Sequence, residues 1–142
     1  MSVDAERLRS LLDRLRATEQ ELARLRSLGA DALRDDVDRL NSVKYLFVVA
    51  AEIAIDAGQH IIAAEGLPAP QTLAEVFHIL GREGWLSEDL AMTFADIARL
   101  RNLLVHGYAE VDDRRVVAIL HERLGDLGAF RQHLARAAIE DR

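Results

Sequence analysis

The 142-residue sequence predicts an all-α fold, an up-and-down bundle of about five helices in one domain. Three observations predict it. Half of the residues are apolar, and only two Pro and eight Gly are present, a mixture that suits helices better than strands. Apolar residues recur at helical spacing through nearly the whole chain, and no alternating run is long enough to build a sheet. Capping residues and glycines fall where the periodic segments begin and end.

The first helix is expected over residues 3–28. Leu8, Leu11, Leu15, Leu22 and Leu25 recur at coiled-coil spacing, with Thr18 in the one weak position, so this helix should zip onto a neighbour in the bundle rather than form a separate coil. Gly29 is placed to end it as a left-handed C-terminal residue. Asp31 is expected to cap a second helix running to about residue 65, roughly 50 Å long if continuous. Its core stripe is traced by Leu33, Val37, Leu40, Phe47, Ala51, Ala54, Gly58 and Ile61. Gly66-Leu67-Pro68-Ala69-Pro70 stops it.

Thr72-Leu73-Ala74-Glu75 is a capping-box sequence opening a short third helix, with Val76, Phe77 and Leu80 inward and Trp85 anchoring the turn that follows. Ser87 caps the fourth helix, whose first turn carries Glu88 and Asp89 where negative charge suits the dipole. Leu90, Phe94, Ile97, Leu100 and Leu104 form its core face, and Gly107 is positioned to end it. Asp112 caps a fifth helix through about residue 139, with Val116, Leu120, Leu124, Leu127, Leu134 and Ala138 inward. His78, His121 and His133 read as surface or boundary residues.

Composition narrows the function classes. The sequence has no Cys, which excludes disulfides, thiolate metal sites and cysteine nucleophiles. The first residues lack the apolar core of a secretory leader, and the most apolar run, residues 45–64, is interrupted by Glu52, Asp56, Gln59 and His60, against a membrane span. A soluble cytoplasmic protein is expected. The net charge of −6 makes the chain a poor general nucleic-acid binder, so any RNA would have to be handled in a local basic groove.

Two stretches carry chemistry. Glu52, Asp56 and His60, four apart, line up on one face of the second helix inside an otherwise apolar segment. The Glu-x-x-His pattern of helical di-iron sites is missing, so the row reads as a polar seam facing a cleft or a subunit interface, with acid and imidazole bonded to each other, and no metal is expected. The second stretch is Arg101-Asn102-Leu103-Leu104-Val105-His106-Gly107-Tyr108 at the end of the fourth helix.

Arg99, Asn102 and His106 share a face distinct from the Leu/Ile face, and Asn102 is placed to orient the His106 imidazole. Arg101 and His106 lie about 140° apart around an ideal helix, so they cannot both meet one phosphate from a straight one. Either the helix unwinds at Val105-His106-Gly107, or two copies of the segment line one cleft across a two-fold axis, where Met92, Ala95 and Arg99 offer contact surface. The residue types suit RNA cleavage. The 2′-OH is the nucleophile, His titrates near neutrality, and Arg presents a fixed fork of donors to phosphate oxygens. Helix-end stabilisation of the dipole by Arg and His is the plainer reading of the same residues.

Arg101 through Tyr108 matches in full the Arg-x4-His-x-Tyr motif of the HepT family within the HEPN superfamily, with Val111-Asp112 following, and Glu52 through Ala63 looks like that family's Glu-x3-Asp-x3-His helix. The sequence thus resembles HepT proteins over roughly residues 45–120, leaving the helix of residues 1–28 outside the strongest match. The resemblance implies a helical homodimer acting as a metal-independent endoribonuclease toxin without cofactors. Arg101 and His106 would be catalytic, with Asn102 supportive. It also implies a nucleotidyltransferase antitoxin of the MntA type that neutralises the toxin by adding AMP to Tyr108. The alternative from another class is a non-catalytic helical subunit that binds nucleotide or presents substrate to such a transferase.

Overall fold

The computed structural model describes residues 3–107 and 111–140. Seven helices and no strand are found among the described residues: α1 (Ala5–Arg26), α2 (Ala30–Arg34), α3 (Val37–Ala64), α4 (Leu73–Arg82), α5 (Glu88–His106), α6 (Asp113–Arg123) and α7 (Gly125–Glu140). The five expected helices become seven because two of them break.

The first break separates α2 from α3. Gly29 leaves α1 with φ 91 and ψ 154, and instead of ending the helix in the left-handed helical region it leads straight into the five-residue α2. At Asp35-Asp36 the chain leaves helix and re-enters it. Asp36 takes extended dihedrals and its carboxylate accepts the backbone N–H of Arg39 at 3.1 Å, so this residue, not Asp31, caps the long helix. Aspartate competes with helical backbone bonding through its own side chain, which apolar periodicity does not register. The 28 residues of α3 span about 42 Å rather than the roughly 50 Å of an unbroken helix. Val37, expected in the core stripe, sits at the new helix start and is 70% exposed. The second break falls at Leu124-Gly125, where the poor helix former Gly125 begins α7.

α3 is the central element, with α1, α4, α5 and α6 packing on it. It is long and apolar enough to cross a membrane by length and composition, but half of its most apolar window is buried inside the bundle. The coiled-coil leucines of α1 are all buried against α3 and α7, and Thr18 satisfies its hydroxyl on the carbonyl of Arg14 at 3.0 Å. α7 is fastened to α1 by the half-buried pair Arg131–Glu19 at 2.7 Å. Phe77, Phe94 and Phe130 join α4, α5 and α7, the last two rings stacked with centroids 4.2 Å apart.

The capping sequence at α4 works with one shift. Thr72 Oγ1 accepts the N–H of Glu75, while Glu75 reaches back to the N–H of Gln71 rather than that of Thr72. α4 approaches α3 closely at Gly58, where an added Cβ would lie 2.4 Å from Cγ1 of the fully buried Val76. In an exposed helix, Gly→Ala stabilises by about 1 kcal/mol. Here the stiff β-branched neighbour should reverse the sign, and Gly58→Ala is expected to destabilise the protein by about 1–3 kcal/mol, read as a lower urea midpoint at unchanged m-value. A raised midpoint would show that α4 can give way.

Candidate functional site

α5 brings the motif residues to one end of the bundle. Ser87 starts this helix by accepting the N–H of Leu90 at 3.2 Å, and the apolar stripe through Leu90, Phe94, Leu100 and Leu104 holds it against the core. The helix does not unwind at Val105-His106-Gly107. It persists through His106, and Gly107 leaves it with φ −130 and ψ 50 while its N–H bonds Leu103 O at 2.7 Å. Arg101 and His106 therefore keep their separation on one straight helix, about 140° around the axis and about 7.5 Å along it. Tyr108, the last residue of the motif, lies outside the described residues.

Arg101 is turned toward α3. Its Nη2 donates to Glu52 Oε1 at 3.0 Å and its Nη1 to Asn102 Oδ1 at 3.1 Å. Its stem covers a crevice of about 20 Å³ lined by Phe47, Ala50, Leu100, Ile119 and Leu124. The side chain is 21% exposed, and Nε is buried without a hydrogen-bond partner. The guanidinium is thus held by one carboxylate, one amide and apolar contact along its length. The Asn102 amide goes to Arg101 and not to His106, contrary to the expected pairing. His106 is exposed and makes no hydrogen bond among the described residues. Arg99 is exposed and pairs with Asp96 on its own helix at 2.7 Å, and Ala95, expected on a contact surface, is fully buried.

The polar row on α3 divides. Glu52 takes Arg101. His60 Nε2 accepts the backbone N–H of Asp4 at 3.2 Å, which ties the start of α1 to the end of α3. Asp56 is exposed, and the expected carboxylate–imidazole bond between it and His60 is not formed. Among the described residues no three His, Asp or Glu side chains converge as metal ligands.

Three nearby features complete this end of the bundle, of which only the Asp112 cap was expected. Lys44 Nζ meets Asp113 at 2.7 Å, linking α3 to the start of α6. Asp112 caps α6, and the backbone N–H of Arg114, 2.9 Å from Oδ1, holds its carboxyl below the usual range. Tyr45 stands 67% exposed on α3. Its place off the core stripe was the available signal.

An all-helical bundle that tethers an arginine and frees a histidine on one helix, with an acidic row on the neighbouring helix, defines a class of protein rather than an individual. A sequence profile of the family described as "Ribonuclease HepT-like" matches residues 5–134, and the chain belongs to that family. It is 23% identical over 122 residues to a Shewanella oneidensis protein named mRNA nuclease HepT, covering 84% of this chain and 92% of that one. Among solved structures it is similar to a tri-AMPylated Shewanella oneidensis HEPN toxin in complex with MNT antitoxin, with a TM-score of 0.85 at 21% identity over 94% of this chain and 98% of the other. It is also similar to YutE of Bacillus subtilis, described as a cytosolic protein of unknown function, with a TM-score of 0.82 at 18% identity over 99% and 94% of the two chains.

The Glu52–Arg101 contact is half open to water on the carboxylate side, so solvent screening limits what it adds to stability. A double-mutant cycle on Glu52→Ala and Arg101→Ala should return a coupling of no more than about 1 kcal/mol in urea unfolding. A coupling of several kcal/mol would make the pair a structural staple.

Proposed function

We propose that this member of the HepT-like ribonucleases is the toxin of a toxin–antitoxin pair, a cytoplasmic, metal-independent endoribonuclease that works as a homodimer. The supporting observation is the asymmetric treatment of two side chains on one helix: Arg101 is held by Glu52 and Asn102, while His106 is exposed at the helix end without a hydrogen bond among the described residues. A fixed cation suits a phosphate whose charge builds up in the transition state. An imidazole with no hydrogen bond among the described residues suits proton transfer.

In this scheme the RNA 2′-oxygen attacks the phosphorus and the bond to the 5′-oxygen breaks. His106 takes the 2′-hydroxyl proton, and Arg101 holds the non-bridging oxygens, with Asn102 setting the plane of its guanidinium. Since an unbroken α5 keeps Arg101 and His106 on different sides of the helix, the site is completed by a second copy across a two-fold axis. The axis then supplies a second imidazole to protonate the leaving 5′-oxygen. Arg99 lies on the same exposed face as Asn102 and His106, where it steers the strand. The chain acts as one HepT-like domain, with α1 packed into the bundle against α3 and α7.

Control is assigned to a nucleotidyltransferase antitoxin of the MntA type. The Tyr108 phenol oxygen attacks the α-phosphorus of ATP in the partner's site, pyrophosphate leaves, and the added phosphate places negative charge where RNA phosphate must bind.

Purified protein is expected to cleave single-stranded RNA in EDTA, and His106→Ala and Arg101→Ala should each lower the rate by at least about a hundredfold. Persistent cleavage in both variants would remove these assignments and favour the non-catalytic subunit. Intact-mass measurement after co-expression with an MntA-type nucleotidyltransferase should show a gain of one or more AMP units, absent from Tyr108→Phe. An unmodified wild-type mass would exclude this mode of control.

A further inference from the structure

A groove beside the motif residues has no part in the cleavage scheme. Between α3 and the end of α5, with Val111 beside it, runs this groove of about 470 Å³, walled by Asn41, Tyr45, Val48, Leu104, Val105 and Val111. We propose that this groove is a nucleobase subsite in which the Tyr45 ring stacks on a base of single-stranded RNA next to the cleaved phosphate. The proposal rests on the nuclease reading and names how its substrate is gripped.

Four observations carry it. Tyr45 is 67% exposed, whereas Phe47, Phe77, Phe94, Phe130 and Trp85 are all buried, so it is the one exposed aromatic ring among the described residues. The ring stands between two hollows, the groove and a second of about 420 Å³ on the side of α1, which leaves its surface open to a flat partner. The groove's volume falls within the range of about 300–1,000 Å³ typical of small-molecule sites. Its composition matches a base in kind, with apolar walls for the flat faces and, at one side, the Asn41 amide, which can both donate and accept at a base edge.

Position favours RNA over a protein occupant. Val105 directly precedes His106, and Leu104 lies one turn after Arg101, so the groove opens beside the residues assigned to the phosphate. Lys44, on the groove wall, is paired with Asp113 at 2.7 Å, so it offers an ammonium donor at the rim with little net charge. A chain of net charge −6 gains little affinity for RNA from its overall field, and stacking is an attraction that does not depend on charge.

The test uses His106→Ala as the parent, so that RNA survives the measurement, and reads binding of a fluorescein-labelled single-stranded oligoribonucleotide by anisotropy. Adding Tyr45→Ala is expected to weaken binding about tenfold, and Tyr45→Trp to restore it, with the light-scattering mass of the parent retained in both. A 2-aminopurine in the oligonucleotide should be quenched on binding the parent and the tryptophan variant but not the alanine variant. If the parent binds RNA and Tyr45→Ala binds it equally well, the subsite is wrong and the nuclease reading stands. If Tyr45→Ala changes the mass of the assembly, Tyr45 is a protein contact and the subsite is also wrong. If the parent binds no RNA at all, both ideas fall together.

Discussion

Burial of α3 is the constraint on which the other helices depend. Ile53, Ala54, Ile55 and Ala57 are all nearly inaccessible, so this helix is covered around most of its circumference. Along the second half of α3, what stays open is a narrow strip carrying Glu52, Asp56, Gln59 and Ala63. A strip that narrow admits few partners, and α5 meets it with Arg101. The long arginine stem lies on apolar side chains, and only the end of the guanidinium reaches the carboxylate. Gly58 serves the same packing, because without a side chain there α4 can close over the helix.

That arrangement gives the motif two different mechanical characters. Arg101 has three neighbours that limit its motion: Glu52, Asn102 and the crevice beneath it. His106 lies in the last turn of the same helix, exposed, and Gly107 turns the chain away behind it. In the proposed cleavage scheme, preorganised charge and a proton carrier are separate requirements, and Arg101 and His106 stand about one and a half turns of helix apart. The buried Nε of Arg101 without a partner marks the cost of holding the guanidinium this way. An acidic chain can still present such a site, since a fixed cation acts over a few ångströms and the net charge acts over the screening length.

Much of the fold and part of the site were legible in the residues. The leucines of α1, the caps at Thr72, Ser87 and Asp112, and the inward residues of α5 all follow from local rules that depend on a few neighbours in sequence. The two helix breaks were not, because Val37 and Leu124 continue an apolar pattern straight through them, and the pattern does not weigh the capping strength of Asp36 or the entropy of Gly125. The polar row on α3 was visible as a row, but its internal pairing was misread. His60 binds the backbone of Asp4, 56 residues away in the chain, and Glu52 binds Arg101, 49 away.

By itself, the sequence determined the helical class, the starts of α4, α5 and α6, and the residue types gathered at the end of α5, because periodicity and capping are settled within a turn or two of chain. Only the tertiary structure decided which partner each polar side chain takes, that α5 stays straight through His106, and that Tyr45 is left open beside it. Those outcomes depend on distances between helices, and no local pattern encodes the position of a residue on another helix fifty places away.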